Sequence, residues 1–128
     1  MSVRASLQIM VVDDMATSRG LILQALEKIG LYNTDSAPDG ISAQRQIMEK
    51  RFNLVISDFN MPGLDGLGLL KNLRTHPQTS NIGFILVTSS ADQSLIARGR
   101  SLGLNNYVKK PFSTADMRAC IEAVVGKL

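Results

Sequence analysis

Acidic residues stand directly after two apolar segments of the sequence. Asp13 and Asp14 follow the segment Leu7–Val12, and Asp58 follows Leu54–Ser57. If these segments are adjacent strands of a parallel sheet, their carboxyl ends meet at one edge and the three carboxylates lie close together. Clustered carboxylates repel one another, and a bound hard cation relieves that repulsion. Because the ligands would all be oxygen atoms, without histidine or clustered cysteine, the sequence predicts a site for Mg²⁺ or Mn²⁺ rather than for zinc.

A hydroxyl group and an ammonium group are placed in a similar way. Thr88 ends the apolar segment Gly83–Thr88, and Lys110 comes shortly after Asn106–Val108. Beside a metal ion, a lysine neutralises the charge of a phosphoryl group and a threonine hydroxyl donates a hydrogen bond to it. Among the carboxylates, we expect Asp58 to be the nucleophile, because it stands where a strand ends and a loop containing proline and glycine turns away.

The elements that would position these residues alternate along the chain. Short apolar segments indicate strands, and apolar residues three and four positions apart indicate helices. The predicted strands are Leu7–Val12, Asn33–Ala37, Leu54–Ser57, Gly83–Thr88 and Asn106–Val108, and the predicted helices are Ala16–Ile29, Ile41–Lys50, Gly66–Arg74, Ala91–Leu102 and Thr114–Lys127. Five strands that alternate with five helices favour an α/β fold, in which a doubly wound parallel sheet is covered by helices on both faces.

Local signals predict where some of these helices begin and end. Gly30 follows the first predicted helix, and glycine commonly ends a helix. Ser90 and Ser113 precede the fourth and fifth predicted helices, where a serine side chain can cap the first turn.

Composition places the chain among ordinary globular proteins. Its 128 residues are enough for a sizeable core, so we expect residues 1–128 to form a single domain. No apolar run approaches the roughly 20 residues of a membrane-spanning helix and no signal peptide is indicated, so we expect a cytoplasmic protein without membrane insertion.

The net charge is +3, but the basic residues are scattered, which favours a solvated surface over nucleic-acid binding. The single cysteine, Cys120, excludes an internal disulfide and a multi-cysteine metal site.

Four sequence segments resemble the motifs of response-regulator receiver domains. They are "VVDD" at the end of the first strand, "SDFNMPGLDG" around Asp58, "VTSS" at the end of the fourth strand and "YVKKPF" at the end of the fifth. Their order and spacing are similar to those of that family from about Leu7 onward. The chain looks like the single-domain, CheY-like chemotaxis regulators, which have no output domain. The resemblance implies a flavodoxin-like sheet with the strand order 2-1-3-4-5.

The resemblance also implies a role for each residue at the strand ends. Asp58 would accept a phosphoryl group from a phosphohistidine, while Lys110 and Thr88 would contact that group. The ligands of Mg²⁺ would be Asp14, Asp58 and the backbone carbonyl of Asn60, and Asp13 would bind it directly or through a water molecule.

A second set of implied roles concerns the output. Thr88 and Tyr107 would form a switch pair that links the phosphoryl group to a binding surface. That surface would lie on the fourth helix, the fifth strand and the fifth helix, and its nominated residues are Ala91, Ile96, Arg100, Tyr107, Lys109, Phe112 and Ser113.

The expected partners follow from the same resemblance. They are a CheA-like sensor histidine kinase as donor, a flagellar motor switch protein as target, and a phosphatase, each bound by a monomer. On this interpretation the protein is not an enzyme for other substrates, because it catalyses only its own phosphorylation and dephosphorylation. A phosphate sink or phosphorelay intermediate without direct output is left open. The sequence also leaves open the lifetime of the phosphoryl group, the cognate kinase, and any contribution of Lys109 or Cys120 to partner choice.

Two other protein classes share parts of the pattern. A flavodoxin-like cofactor protein needs a phosphate-binding loop after the first strand, where this chain has the acidic segment "DDMATSRG". A haloacid-dehalogenase-type phosphatase also uses an aspartate nucleophile and Mg²⁺, but it needs a second aspartate two residues later, where this chain has Asn60. Both classes are therefore less favoured than a receiver domain.

Overall fold

One parallel sheet of five strands organises the chain. The computed structural model describes residues 3–90 and 92–128. The strands are β1 (Ile9–Val12), β2 (Thr34–Ala37), β3 (Leu54–Asp58), β4 (Gly83–Thr88) and β5 (Asn106–Lys109). Their order across the sheet is β2-β1-β3-β4-β5, and each neighbouring pair is parallel. The predicted fold class and strand order are therefore confirmed.

The described part of the chain contains six helices. They are α1 (Val3–Ser6), α2 (Ala16–Ile29), α3 (Gly40–Glu49), α4 (Gly66–Thr75), α5 (Gln93–Ser101) and α6 (Thr114–Val125). The prediction for α2 is correct at both ends, and the other predicted boundaries lie within two residues of the observed ones. The short helix α1 is an addition to the five predicted helices, because four residues are too few to show a helical period. Within the described ranges, no helix has the length and apolar character needed to cross a membrane.

The helix ends show which local predictions hold. Gly30 ends α2 with a φ of 96°, a left-handed conformation that glycine adopts readily. Ser113 caps α6 as predicted, in a reciprocal capping box. The predicted Ser90 cap of α5 is wrong. Asp92 caps this helix instead, accepting a hydrogen bond of 2.7 Å from the amide of Leu95, because α5 begins two residues later than predicted.

Helices cover both faces of the sheet. Helices α3, α4 and α5 pack on one face, and α2 and α6 pack on the other. Side chains alternate along each strand, so Phe84 and Leu86 of β4 point to the first face while Ile85 and Val87 point to the second. Burial on both faces explains why β1 and β3 are buried at every position rather than at alternate ones.

The register of the sheet brings the strand ends to one edge. Val12 of β1 is paired with Ser57, and Asp58 is paired with Val87 of β4. Strands β4 and β5 are also paired up to their last residues. The residues that end or follow β1, β3, β4 and β5 therefore stand side by side, at the edge where parallel α/β sheets bind ligands.

Candidate functional site

Three carboxylates meet at this edge of the sheet. One oxygen atom from each of Asp13, Asp14 and Asp58 lies within 4.8 Å of the other two, and we call these residues the carboxylate cluster. Asp13 is fully buried and Asp58 is 7% exposed, whereas Asp14 is exposed. The structure thus brings together the carboxylates that the sequence predicts at one site.

Lys110 extends from the end of β5 into the carboxylate cluster. Its Nζ lies 3.1 Å from Asp58 Oδ1 and 3.6 Å from Asp13 Oδ2. The same Nζ donates a hydrogen bond of 2.9 Å to Ser18 Oγ on α2. The backbone amide of Lys110 is fixed by a hydrogen bond of 2.9 Å to the carbonyl of Thr88. The ammonium is therefore held where a phosphoryl group on Asp58 would need a positive charge.

The oxygen atoms of the carboxylate cluster fit a divalent cation. Asp13 Oδ1 accepts a hydrogen bond of 3.0 Å from the amide of Met15. Asp13 Oδ2 is buried and has no hydrogen-bond partner among the described residues, which is costly for a carboxylate oxygen. A hard cation bound by oxygen ligands would supply the missing partner. Asn60 lies exposed in the loop after β3, and the role of its carbonyl as a ligand stays a prediction.

The charge of Asp58 is set by two opposing effects. Burial raises the pKa of Asp58 above its ordinary value, and the charge of Asp13 raises it further by a smaller amount. The Lys110 ammonium lowers the pKa through a hydrogen bond and through charge attraction. The net shift of the pKa is upward, so the loss of hydration outweighs the attraction of the lysine.

We expect Asp58 to make the metal-free protein less stable as the pH rises. Its pKa is higher in the folded than in the unfolded chain, so the folded state binds the proton more tightly. The contribution of this group to the free energy of unfolding therefore falls as the pH rises from the ordinary pKa of 3.8 through the raised folded pKa. At neutral pH, Asp58→Asn should be more stable than wild type by on the order of 1 kcal/mol.

Urea denaturation with a metal chelator, at neutral and at mildly acidic pH, measures this effect. The stability difference between Asp58→Asn and wild type should shrink on acidification, because protonation removes the charge that the variant lacks. A difference that stays constant across this pH range would contradict the raised pKa of Asp58.

Thr88 and Tyr107 lie on the same face of the sheet, on neighbouring strands. Thr88 is buried at the end of β4, and its Oγ1 accepts a hydrogen bond of 3.1 Å from the amide of Ser90. Tyr107 is paired with Leu86, two residues before Thr88, so the side chains of all three point to the side of α3, α4 and α5. Tyr107 is half-buried and packs against the core there. This placement suits the predicted switch pair, whose action stays a prediction.

Four of the residues nominated for the partner surface line one concave surface between α5 and β5, which continues toward α6. They are Ile96, Arg100, Tyr107 and Lys109. We call this surface the α5–β5 face.

Phe112 and Ser113 are not among the residues that line the α5–β5 face. Phe112 and Ser113 line a separate groove, together with Leu21 and other residues of α2. Ala91 lies outside the described residues. The nominated surface therefore divides into two parts, because the chain turns toward α2 after Lys110.

Sequence reasoning missed Ser18. This half-buried residue is the third of α2, and its hydroxyl contacts the Lys110 ammonium directly. The available signal is its position soon after Asp13 and Asp14 in "DDMATSRG", and that signal does not distinguish Ser18 from its neighbour Thr17.

Comparison with protein families gives a match over most of the chain. The family described as the response regulator receiver domain matches residues 9–122. The chain is 43% identical over 128 residues to the "Probable chemotaxis protein CheY" of Rhizobium etli, and the match covers 100% of this chain and 99% of that protein.

Solved structures share the fold described above. Chemotaxis protein CheY4 of Vibrio cholerae has a TM-score of 0.86 at 25% identity, covering 92% of this chain and 98% of that one. The receiver domain of a sensor histidine kinase from Pseudomonas aeruginosa has a TM-score of 0.84 at 26% identity, and the match covers 94% of this chain and 98% of that one. That structure has a magnesium ion coordinated in the active site cleft. The sequence matches and the structure, a sheet of order 2-1-3-4-5 with carboxylates at one edge, point to the same family. The chain belongs to the response regulator receiver domains, as one of the CheY type.

Proposed function

We propose that the protein accepts a phosphoryl group on Asp58, in a Mg²⁺-dependent reaction, from the phosphohistidine of a CheA-like sensor histidine kinase. The observation that carries this proposal is the Lys110 ammonium, 3.1 Å from Asp58 Oδ1 at the end of a buried strand. The strand holds the nucleophile rigidly, and the ammonium provides a fixed positive charge where negative charge is added. The full-length similarity to a chemotaxis protein supports the chemotactic setting.

The transfer step exchanges one bond to phosphorus for another. A carboxylate oxygen of Asp58 attacks the phosphorus atom as the bond between phosphorus and the histidine nitrogen breaks. The electron pair of that bond stays on the ring nitrogen, and Asp58 becomes an acyl phosphate. Lys110 neutralises charge on the phosphoryl oxygens, and the Thr88 hydroxyl donates a hydrogen bond to one of them.

A metal ion adds to this neutralisation. When bound, Mg²⁺ supplies positive charge to the phosphoryl oxygens, and it would be held by Asp13, Asp14, Asp58 and the carbonyl of Asn60. Later attack by water would release inorganic phosphate and restore the carboxylate of Asp58. On this proposal the protein catalyses only its own phosphorylation and dephosphorylation.

The proposed output is a change in partner binding at the α5–β5 face. Arg100 and Lys109 contribute positive charge to this concave surface, and Tyr107 contributes a half-buried ring. Aromatic and arginine side chains commonly anchor protein interfaces. The flagellar motor switch protein is the proposed target.

Phosphotransfer from a purified kinase tests the proposed function. Kinase that carries radioactive phosphate on its histidine is mixed with this protein, and the label should move to Asp58 when Mg²⁺ is present. Binding of the motor switch protein is then compared with and without beryllofluoride, a mimic of the phosphoryl group. Transfer without a change in binding would favour a phosphate sink or a phosphorelay intermediate, and the absence of phosphate uptake both from the kinase and from a small acyl phosphate would refute the phosphoacceptor function.

Substitution of the switch pair should separate phosphorylation from partner binding. In Thr88→Ala, the hydroxyl that would be drawn toward the phosphoryl group is absent. A hydrogen bond to a charged group contributes roughly 1.5–3 kcal/mol, so the increase in partner affinity caused by beryllofluoride should fall by about tenfold or more. Tyr107→Ala should also weaken that increase, while its affinity for Mg²⁺ stays near the wild-type value.

Tyr32→Ala is the matched control for the tyrosine, because Tyr32 is 73% exposed and lies outside the α5–β5 face. It should respond to beryllofluoride as wild type does. The measured quantity is the ratio of partner affinities with and without the mimic. A wild-type ratio in both Thr88→Ala and Tyr107→Ala would show that the signal takes another route.

A further inference from the structure

Lys110 has a hydrogen-bond partner that the transfer step described above does not use. Ser18 Oγ lies 2.9 Å from Lys110 Nζ, across 92 positions of sequence. Ser18 belongs to the first turn of α2, a helix whose apolar side packs on the face of the sheet opposite α3, α4 and α5.

We infer that Ser18 is a positioning residue, which fixes the Lys110 ammonium beside Asp58. The inference rests on the proposed function of Asp58 as phosphoacceptor. It gives α2 a part in positioning the positive charge at the sheet edge.

The first reason for this inference is that the Lys110 side chain would otherwise be free to move. A lysine side chain has a flexible four-carbon stem, and the side chain of Lys110 is 26% exposed, so water is within its reach. Its ammonium has three N–H donors, and the structure gives two of them close acceptors, Ser18 Oγ and Asp58 Oδ1. Asp13 Oδ2 is farther away, at 3.6 Å. Two close acceptors, one on α2 and one at the end of β3, fix the ammonium better than one.

The second reason is that the Ser18 hydroxyl is neutral. The charge on Asp58 changes when the carboxylate becomes an acyl phosphate, and a bound cation also alters the field of the carboxylate cluster. The bond between Ser18 and Lys110 does not depend directly on that charge. Because Ser18 lies on a helix packed against the sheet, it gives the ammonium a fixed reference point throughout the reaction.

Ser18→Ala should therefore slow phosphorylation by a small acyl phosphate roughly three- to tenfold, as expected for the loss of one hydrogen bond. A small donor is used so that any effect of the substitution on kinase docking does not enter the measurement. Ser18→Thr keeps the hydroxyl and should restore most of the rate. Thr17→Ala is the matched control, because Thr17 is the exposed neighbouring hydroxyl residue of the same helix, and its rate should equal that of wild type.

The second measurement follows Lys110 itself. Nitrogen-15 relaxation of the Lys110 ammonium in the metal-free protein should show greater motion in Ser18→Ala than in wild type, Ser18→Thr or Thr17→Ala. Melting temperatures identify any variant that folds poorly. If Ser18→Ala folds poorly, Ser18→Cys takes its place, because a thiol is similar in size to the serine hydroxyl and is only a weak hydrogen-bond acceptor.

The outcomes separate this inference from the proposed function. Absence of phosphate uptake by wild type would overturn the proposed function. Uptake by wild type at the rate of a well-folded Ser18→Ala would overturn the positioning role alone. A slow Ser18→Ala whose Lys110 ammonium moves as in wild type would also overturn it, because the effect would not pass through Lys110.

Discussion

Asp58→Asn should take up no phosphate from a small acyl phosphate donor, even with saturating Mg²⁺. The amide fills nearly the same space as the carboxylate but is not a nucleophile, so the fold should persist while the reaction is lost. Mass spectrometry of the intact protein after incubation with the donor measures this directly. Wild type should gain the mass of one phosphoryl group, and the variant should keep its original mass.

Asp39→Asn provides a matched control for this substitution. Asp39 follows β2, the edge strand next to β1, and caps α3 by accepting a hydrogen bond of 2.6 Å from the amide of Ser42. Asparagine caps helices about as well as aspartate, so this variant should stay folded and accept phosphate at the wild-type level. Equal phosphate uptake by Asp58→Asn and wild type would show that another group is the acceptor.

Mg²⁺ should stabilise the wild-type protein strongly. A ligand that binds only the folded state adds about 2.7 kcal/mol to the free energy of unfolding at about 100 times its dissociation constant. For a chain of this size that corresponds to a rise of roughly 10 °C in melting temperature. The physical cause is the buried Asp13 Oδ2, which accepts no hydrogen bond from the described residues, together with the mutual repulsion of the carboxylate cluster. Thermal melts with chelator and with increasing Mg²⁺ measure the effect.

Asp14→Ala should lose most of this stabilisation while raising the metal-free melting temperature slightly. Removal of this carboxylate lessens the repulsion within the carboxylate cluster, and because Asp14 is exposed and its charge is partly screened by water, the gain should be small and the fold should stay intact. Asp39→Asn again serves as the control and should keep the full response. A melting temperature that is indifferent to Mg²⁺ in wild type, or an unchanged response in Asp14→Ala, would contradict a metal site at this cluster.

The positions of the main site residues could be predicted because they end strands. Asp58, Thr88 and Lys110 come at the ends of apolar segments, and a parallel sheet necessarily brings such ends to one edge. The different environments of Asp13 and Asp14 could not be predicted in the same way. Both follow β1, and only the path of the chain after the strand buries one and exposes the other.

Contacts between side chains far apart in the sequence could not be predicted, for a different reason. The hydrogen bond from Lys110 to Ser18 depends on the rotamer of a long side chain and on how α2 packs against the sheet. The same holds for Arg74, which donates to the carbonyls of Ser80, Ile82 and Gly103 at the opposite end of the sheet. No local pattern in a sequence encodes such tertiary contacts.

The parallel sheet also determines when the site comes into being as the chain folds. Asp13, Asp58, Thr88 and Lys110 lie on or next to four different strands, and parallel neighbours cannot be joined by a tight hairpin. Contacts between segments so far apart in sequence are slow to form. Because the site needs all four strands, a chain that has not completed the sheet lacks at least one part of it. If Asp58 is the phosphoacceptor as proposed, phosphate uptake would therefore report only those molecules that have completed the sheet.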